Sequence, residues 1–181
     1  EAASKDHASF LPCWVAPSRT HQTLGYGLDT TGSEYYELHF KDLERGTLLE
    51  DRITNTNGSL VFSADGQLVF YIAVDKNHRP CKVLRHRLGT AIESDVLVYE
   101  ESDAGFFLGL STTEDRRQIV ITSHDHTTSE QWLIPSGSPE SSPRLVAARQ
   151  RGREYYLHAL GDRFLIHTNA GAEDFRLMEA P

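Results

Sequence analysis

Residues 68–86 read LVFYIAVDKNHRPCKVLRH: an aliphatic and aromatic run, a polar turn opened by Asp75, and a second apolar-polar run. Val, Ile and Tyr bounded by Asp, Asn and Pro mark two antiparallel strands joined by a short loop. The unit recurs in residues 24–40 (LGYGLDTTGSEYYELHF) around Asp29, in residues 119–134 (IVITSHDHTTSEQWLI) around Asp125, and in residues 164–178 (FLIHTNAGAEDFRLM) around Asn169. Successive anchors lie 46, 50 and 44 residues apart, the period of four-stranded propeller blades.

Outward from Asp75, GSLVFS (58–63) predicts a first strand, ADG a tight turn, QLVFYIAV (67–74) a second strand, CKVLRHRL (81–88) a third and SDVLVYE (94–100) a fourth. The copy around Asp125 repeats this order and closes with a Ser/Pro/Gly-rich loop, PSGSPESSP, before PRLVAA. The copy around Asn169 supplies three strands and stops at Pro181. The expected fold is therefore all-β: a partial β-propeller of three four-stranded antiparallel blades plus a fourth blade lacking its outer strand. The blades fall at about 9–52, 53–101, 102–149 and 150–181.

Composition narrows the function. The 181 residues are 39% hydrophobic and 24% charged, and no apolar run approaches the roughly 18 residues of a membrane span. A net charge of −8 disfavours nucleic acid and anionic membranes, which bind through excess Lys and Arg. The basic segment HRPCKVLRHR reads as a strand whose solvent face carries Lys82, Arg85 and Arg87 beside acidic neighbours. Cys13 and Cys81 occupy non-equivalent strands, which argues against a disulfide and for a reducing, cytoplasmic setting. The first residue is Glu, which fits a piece cut from a longer protein.

No residue constellation earns a catalytic, cofactor or metal role. Ser136 and Ser138 sit in a proline-flanked loop with neither strand nor helix after them, whereas a G-x-S-x-G nucleophile needs a strand-to-helix elbow. His124 and His126 flank the repeat's Asp125 at a strand end, where a structural role is expected rather than metal chelation. Asn57–Ser59 fits a glycosylation acceptor, but a turn is the simpler reading. Tyr35, Tyr36, Tyr155 and Tyr156 are expected to pack blade on blade. Glu100, Glu101 and Asp103 read as a solvated acidic edge that discourages strand addition.

The string NHRPCKVLRHRLGT (77–90), followed by SDVLVYEE (94–101), resembles the loop and last two strands of a blade in the oligopeptidase B, or protease II, branch of the prolyl oligopeptidase family of serine peptidases. LDTTGSEYYELHFKDLERG resembles an earlier blade of the same propeller, and HDHTTSEQWLI, PRLVA and GDRFLIHTNAGAEDFRL resemble later ones. One departure is VAPSRTHQTLGYGL, where the usual S-P-D-G turn reads APSRTHQ and lacks the Asp-Gly that would tighten it.

The resemblance implies a propeller capping an α/β-hydrolase domain that carries a Ser, Asp and His triad, with cleavage of short peptides after Arg or Lys. In that arrangement the propeller gates the active site, and its partners are the parent's own catalytic domain and short basic peptides. The surplus of acidic groups, 26 against 18, would enrich cationic peptides near the entrance. The alternative is an autonomous propeller-like binding module for a peptide or protein.

Blades bury their apolar faces only against neighbours, so an arc of three and a half leaves two faces uncovered. Pairing of residues 1–10 with the fourth blade, tight closure as a small ring, or a homodimer would each cover them. Small-angle scattering is expected to show a closed particle or a dimer; a monodisperse monomer of open-arc shape would refute both.

Overall fold

Alternation decides which side of each strand is buried, and hydrogen-bonded turns decide where it ends. In the computed structural model, which describes residues 9–181, the elements are β1 (Leu11–Pro17), β2 (Thr23–Asp29), β3 (Tyr36–Asp42), β4 (Leu48–Phe62), β5 (Leu68–Val74), β6 (Pro80–Arg87) and β7 (Val96–Glu100). They continue as β8 (Phe107–Thr112), β9 (Gln118–His124), β10 (Ser129–Pro135), β11 (Arg144–Leu145), β12 (Tyr155–Leu160), β13 (Arg163–Thr168) and β14 (Arg176–Ala180). One 3₁₀ turn, Ile92–Ser94, is the sole helical element among the described residues. Every paired neighbour is antiparallel, in three sheets of seven, four and three strands. The partial propeller expected from the repeat is therefore what the chain forms, and the fourth blade has three strands. The segment 1–8, part of the stretch expected to pair with that blade, lies outside the described residues.

The seven-stranded sheet is two blades joined through one long strand. The first part of β4 pairs with β3, and after a register shift between Thr56 and Leu60 the rest pairs with β5. Asn55 (φ 57°) and Gly58 (φ 87°) are left-handed at this kink, and Ser59 N donates to Asn57 Oδ1 at 3.0 Å. A Cβ on Gly58 would stand 2.9 Å from Cys13 Sγ, so glycine lets β4 pass close to β1. The blade border thus falls a few residues beyond 52/53.

Two apolar seams glue the first three blades. Leu38, Phe40 and Ile53 of the first blade meet Leu60, Phe62, Val69 and Tyr71 of the second. Phe40 and Phe62 meet edge to face, with centroids 6.3 Å apart. On its other side the second blade presents Val61, Phe70, Ile72 and Val83 to Leu108, Leu110, Ile119, Ile121 and Ile134 of the third. The third seam is polar. Tyr155 N donates to Ser129 Oγ (2.8 Å), Leu157 N to Gln131 Oε1 (3.1 Å) and Gln131 N to the Tyr155 hydroxyl (2.8 Å).

The free face of the first blade is less apolar than the repeat suggested. Register places Tyr26, His39 and Arg52 on the open face of the first blade, with Leu28 and Glu37 beside them. Tyr26 stacks on His39 at 5.4 Å, and His39 Nε2 lies 3.0 Å from Glu37. The fourth blade is the more exposed, with Leu177 66% accessible. Among the described residues no strand of the fourth blade pairs with one of the first.

Each repeat anchor closes its loop locally. Asp29 accepts from the N–H groups of Thr31 (2.8 Å), Gly32 (2.9 Å) and Glu34 (2.7 Å). Asp75 accepts from Asn77 and Arg79, and Asp125 from Thr127 and Thr128. Asn169 takes Glu154 N and donates to Gly152 O. A second device repeats between first and second strands. Leu68 N donates to Ser63 Oγ, Gln118 N to Thr113 Oγ1 and Thr23 N to Ser18 Oγ. The first-blade turn lacks Asp-Gly, yet it closes in the same way: Ser18 N reaches Thr23 O at 2.7 Å, and His21 (φ 57°) takes the left-handed place of Gly66 (φ 73°).

Burial pushes the Asp29 carboxyl up, but the N–H groups and Thr31 hydroxyl more than offset this and hold it below its usual value. Donation from Asn77 lowers Asp75, and from Thr127 lowers Asp125. A carboxyl depressed in the fold stabilises above its unfolded pKa, and that contribution fades as pH falls through the folded value. Acidification below the carboxylate range, about 3.9, should therefore lower the unfolding free energy. Asp29→Ala should cost about 1–2 kcal/mol at pH 7, as for loss of a capping oxygen, and be less acid-sensitive. Urea midpoints at neutral and acid pH check both.

Candidate functional site

The first strands of three blades, β1, the end of β4 and β8, converge on a cleft of about 350 Å³. Its walls include Trp14, Val15, Val61 and Ser111, and its charged lining residues are Arg19 and Arg116. Trp14 sits at a bulge in the β1–β2 ladder with φ 41°, a left-handed conformation that bulky residues adopt only under constraint. Its indole Nε1 donates to Leu60 O at 3.1 Å, and 49% of the residue stays exposed. Arg116 is also left-handed (φ 57°), in the turn of the third blade equivalent to Ser63–Leu68. Arg19 Nη1 reaches Arg116 O at 3.4 Å, tying the turns of blades one and three.

The acidic surplus does not collect in this cleft. Asp29, Asp65, Asp75, Asp115 and Asp125 hold turns, and others are buried in ion networks. Glu101, expected at a solvated edge, is only 4% exposed. It accepts from Ser123 Oγ (2.5 Å) and Asp103 N (2.9 Å), and Arg149 Nη2 pairs with it. Arg149 also contacts Glu130 at 3.2 Å and lies 4.0 Å over the Phe106 ring. Burial pushes Glu101 up, but Ser123, Arg149 and Asp103 more than offset it and lower its carboxyl. The correction has a physical reason: the loop after β7 turns inward to the next blade, and Arg79 donates to the carbonyls of Glu101, Asp103 and Phe106. Glu100 stays at the surface, 3.3 Å from Lys82.

A second buried polar cluster centres on a histidine. His86, 1% exposed, has Nδ1 2.6 Å from Asp95 and Nε2 3.0 Å from Asp51, and Tyr71 donates to Asp95 at 2.8 Å. Alternation in β6 puts His86 on the face of Leu84, which packs on the first seam, so an inward-facing histidine was the available signal.

The remaining candidates stand in separate places. Ser136 is buried, and its Oγ donates to Arg116 O at 2.8 Å; Ser138 is exposed in the same loop. His124 and His126 are exposed, and among the described residues no group of three metal-ligating side chains gathers. Tyr35 donates to Asp75 O in the next blade (3.3 Å), and buried Tyr155 donates to Ala147 O (2.7 Å). Arg87 pairs with Glu140, and Arg85 donates to Pro139 O. Cys13 and Cys81 are free thiols, both pushed up by burial. Among the described residues no helix is long and apolar enough to cross a membrane.

Residues 1–181 match the family model of the prolyl oligopeptidase N-terminal β-propeller domain. The chain is 39% identical over 163 residues to Protease 2 of Moraxella lacunata, covering 89% of this chain and 24% of that protein. It is 39% identical over 166 residues to dipeptidyl aminopeptidase BI of Pseudoxanthomonas mexicana, covering 91% and 23%. Oligopeptidase B from Leishmania major superposes with a TM-score of 0.92 at 26% identity, over 99% of this chain and 26% of that one. The chain spans about a quarter of the length of these relatives.

Removing one partner from a buried ion network strands the other charge, at about 3–5 kcal/mol. Glu101→Ala should therefore lower the urea midpoint strongly. Ser138→Ala and His126→Ala, at exposed positions, should stay within about 0.5 kcal/mol of the parent.

Proposed function

The chain belongs to the prolyl oligopeptidase family through its N-terminal β-propeller domain, and from that premise we propose that it is the noncatalytic propeller portion of an oligopeptidase B-like serine peptidase. In this reading the catalytic triad stands on an α/β-hydrolase domain encoded with the chain, which is the propeller's partner. The intact enzyme cuts short peptides after Arg or Lys in the cytoplasm, and the propeller filters substrates by size. Neither nucleic acid nor membrane enters this role, and the isolated fragment dimerises through its free faces. The observation that carries the reading is the whole-chain likeness to Protease 2 and oligopeptidase B. Steering of basic peptides by acidic groups would have to arise away from the cleft, whose charged lining residues are Arg19 and Arg116.

A second reading rests on the equally similar relative named dipeptidyl aminopeptidase BI: the intact enzyme releases dipeptides from a free amino terminus.

One assay separates the two. The full-length gene product, given N-blocked peptides containing one Arg or Lys, should cut after that residue, lose activity to a serine-directed reagent and leave a folded protein intact. Cleavage restricted to free amino termini would select the second reading, and no turnover of either substrate would overturn both.

A further inference from the structure

We propose that the cleft between β1, β4 and β8 binds the C-terminal carboxylate of a short peptide, with Trp14 as an apolar shelf and Arg19 and Arg116 as the anion-holding pair. This goes beyond the peptidase reading and does not depend on it, because it rests on the cleft alone.

Trp14 spends its single donor on Leu60 O, which locks the indole against the next blade and leaves its exposed surface available for stacking. Val15 beside it is 62% exposed, so the shelf extends as an uncovered apolar strip. Such a strip in a concave wall, ending in a few polar groups, has the make-up of a ligand site. The cleft volume, about 350 Å³, lies in the small-ligand range.

The polar end is cationic. Among the described residues neither Arg19 nor Arg116 forms an ion pair, and no carboxylate lines the cleft. A competitor is Asp115, whose carboxyl is lowered first by the Arg117 N–H and then by Thr113, with the Arg19 charge a lesser cause. Asp115 is already held by Thr113 Oγ1 at 2.7 Å, Arg117 N at 2.9 Å and Arg117 Nε at 3.5 Å. Arg19 uses one N–H on Arg116 O and keeps its other donors. A planar fork with free donors matches a carboxylate in two-point geometry. An end-group suits the placement, because the cations stand on turns beside the strip, and the rest of the lining, apart from the small hydroxyls of Ser63, Ser111 and Thr112, is apolar and carries no charge.

Isothermal titration of the chain with the tripeptide Ala-Ala-Phe, as free acid and as amide, tests the proposal, with Ala-Asp-Phe amide as a third arm. The free acid should bind about tenfold more tightly than either amide at low salt. The variant carrying both Arg19→Gln and Arg116→Gln should bind acid and amide alike while keeping its circular dichroism. Tryptophan emission should change on binding, and Trp14→Phe should remove that change while Trp132 still emits. Equal binding of acid and amide by the unaltered chain, or no saturable binding, would overturn the proposal without any variant. So would equal binding of the internal-Asp amide, or an acid preference surviving in the double arginine variant.

Discussion

Leu60, Val61 and Phe62 are consecutive, yet they enter two different cores. Leu60 and Phe62 pack into the seam with the first blade, and Val61 into the seam with the third. The pleat imposes this, because adjacent side chains on a strand point to opposite faces. Three residues therefore couple three blades, and the sheet order and the place of the cleft follow from them. A slip of one residue in β4 would exchange the two sets. The kink at Asn55–Gly58 sets this register, because it separates the part of β4 that pairs with β3 from the part that pairs with β5.

Where apolar area runs short, polar groups take over. The third seam relies on Ser129, Gln131 and Tyr155. Around it, Arg149, from the segment linking the third blade to the fourth, reaches Glu101 at the end of the second. The His86 group fastens the end of the first blade to the third strand of the second. A buried ion pair such as Glu101–Arg149 adds little net stability over an apolar replacement, but it penalises any arrangement that parts it. Arg19 and Arg116 stand on turns of their own, closed by Ser18 and Thr113.

The Asp anchors were legible because an Asx turn is short-range chemistry: each carboxylate caps N–H groups two to five residues ahead. The first-blade turn shows the same economy, since Ser18 and His21 reproduce a closure for which Asp-Gly was expected. Glu101 was misread because its neighbours Glu100 and Asp103 are exposed and nothing nearby announces Arg149, 48 residues away. Nothing in the neighbouring sequence marks Trp14, whose indole reaches Leu60 O in the next blade.

By itself the sequence determined the strands, the blade period, the three strands of the last repeat and the family, all written in alternation, turn residues and loop motifs that act over a few positions. Tertiary structure alone decided which acidic groups are buried, which serine is a strut and where a cleft opens. Arg19 and Arg116 meet across 97 residues, and Trp14 meets Leu60 across 46. Such contacts form only when separate blades stack, so they are set by packing between repeats and leave no local pattern within one.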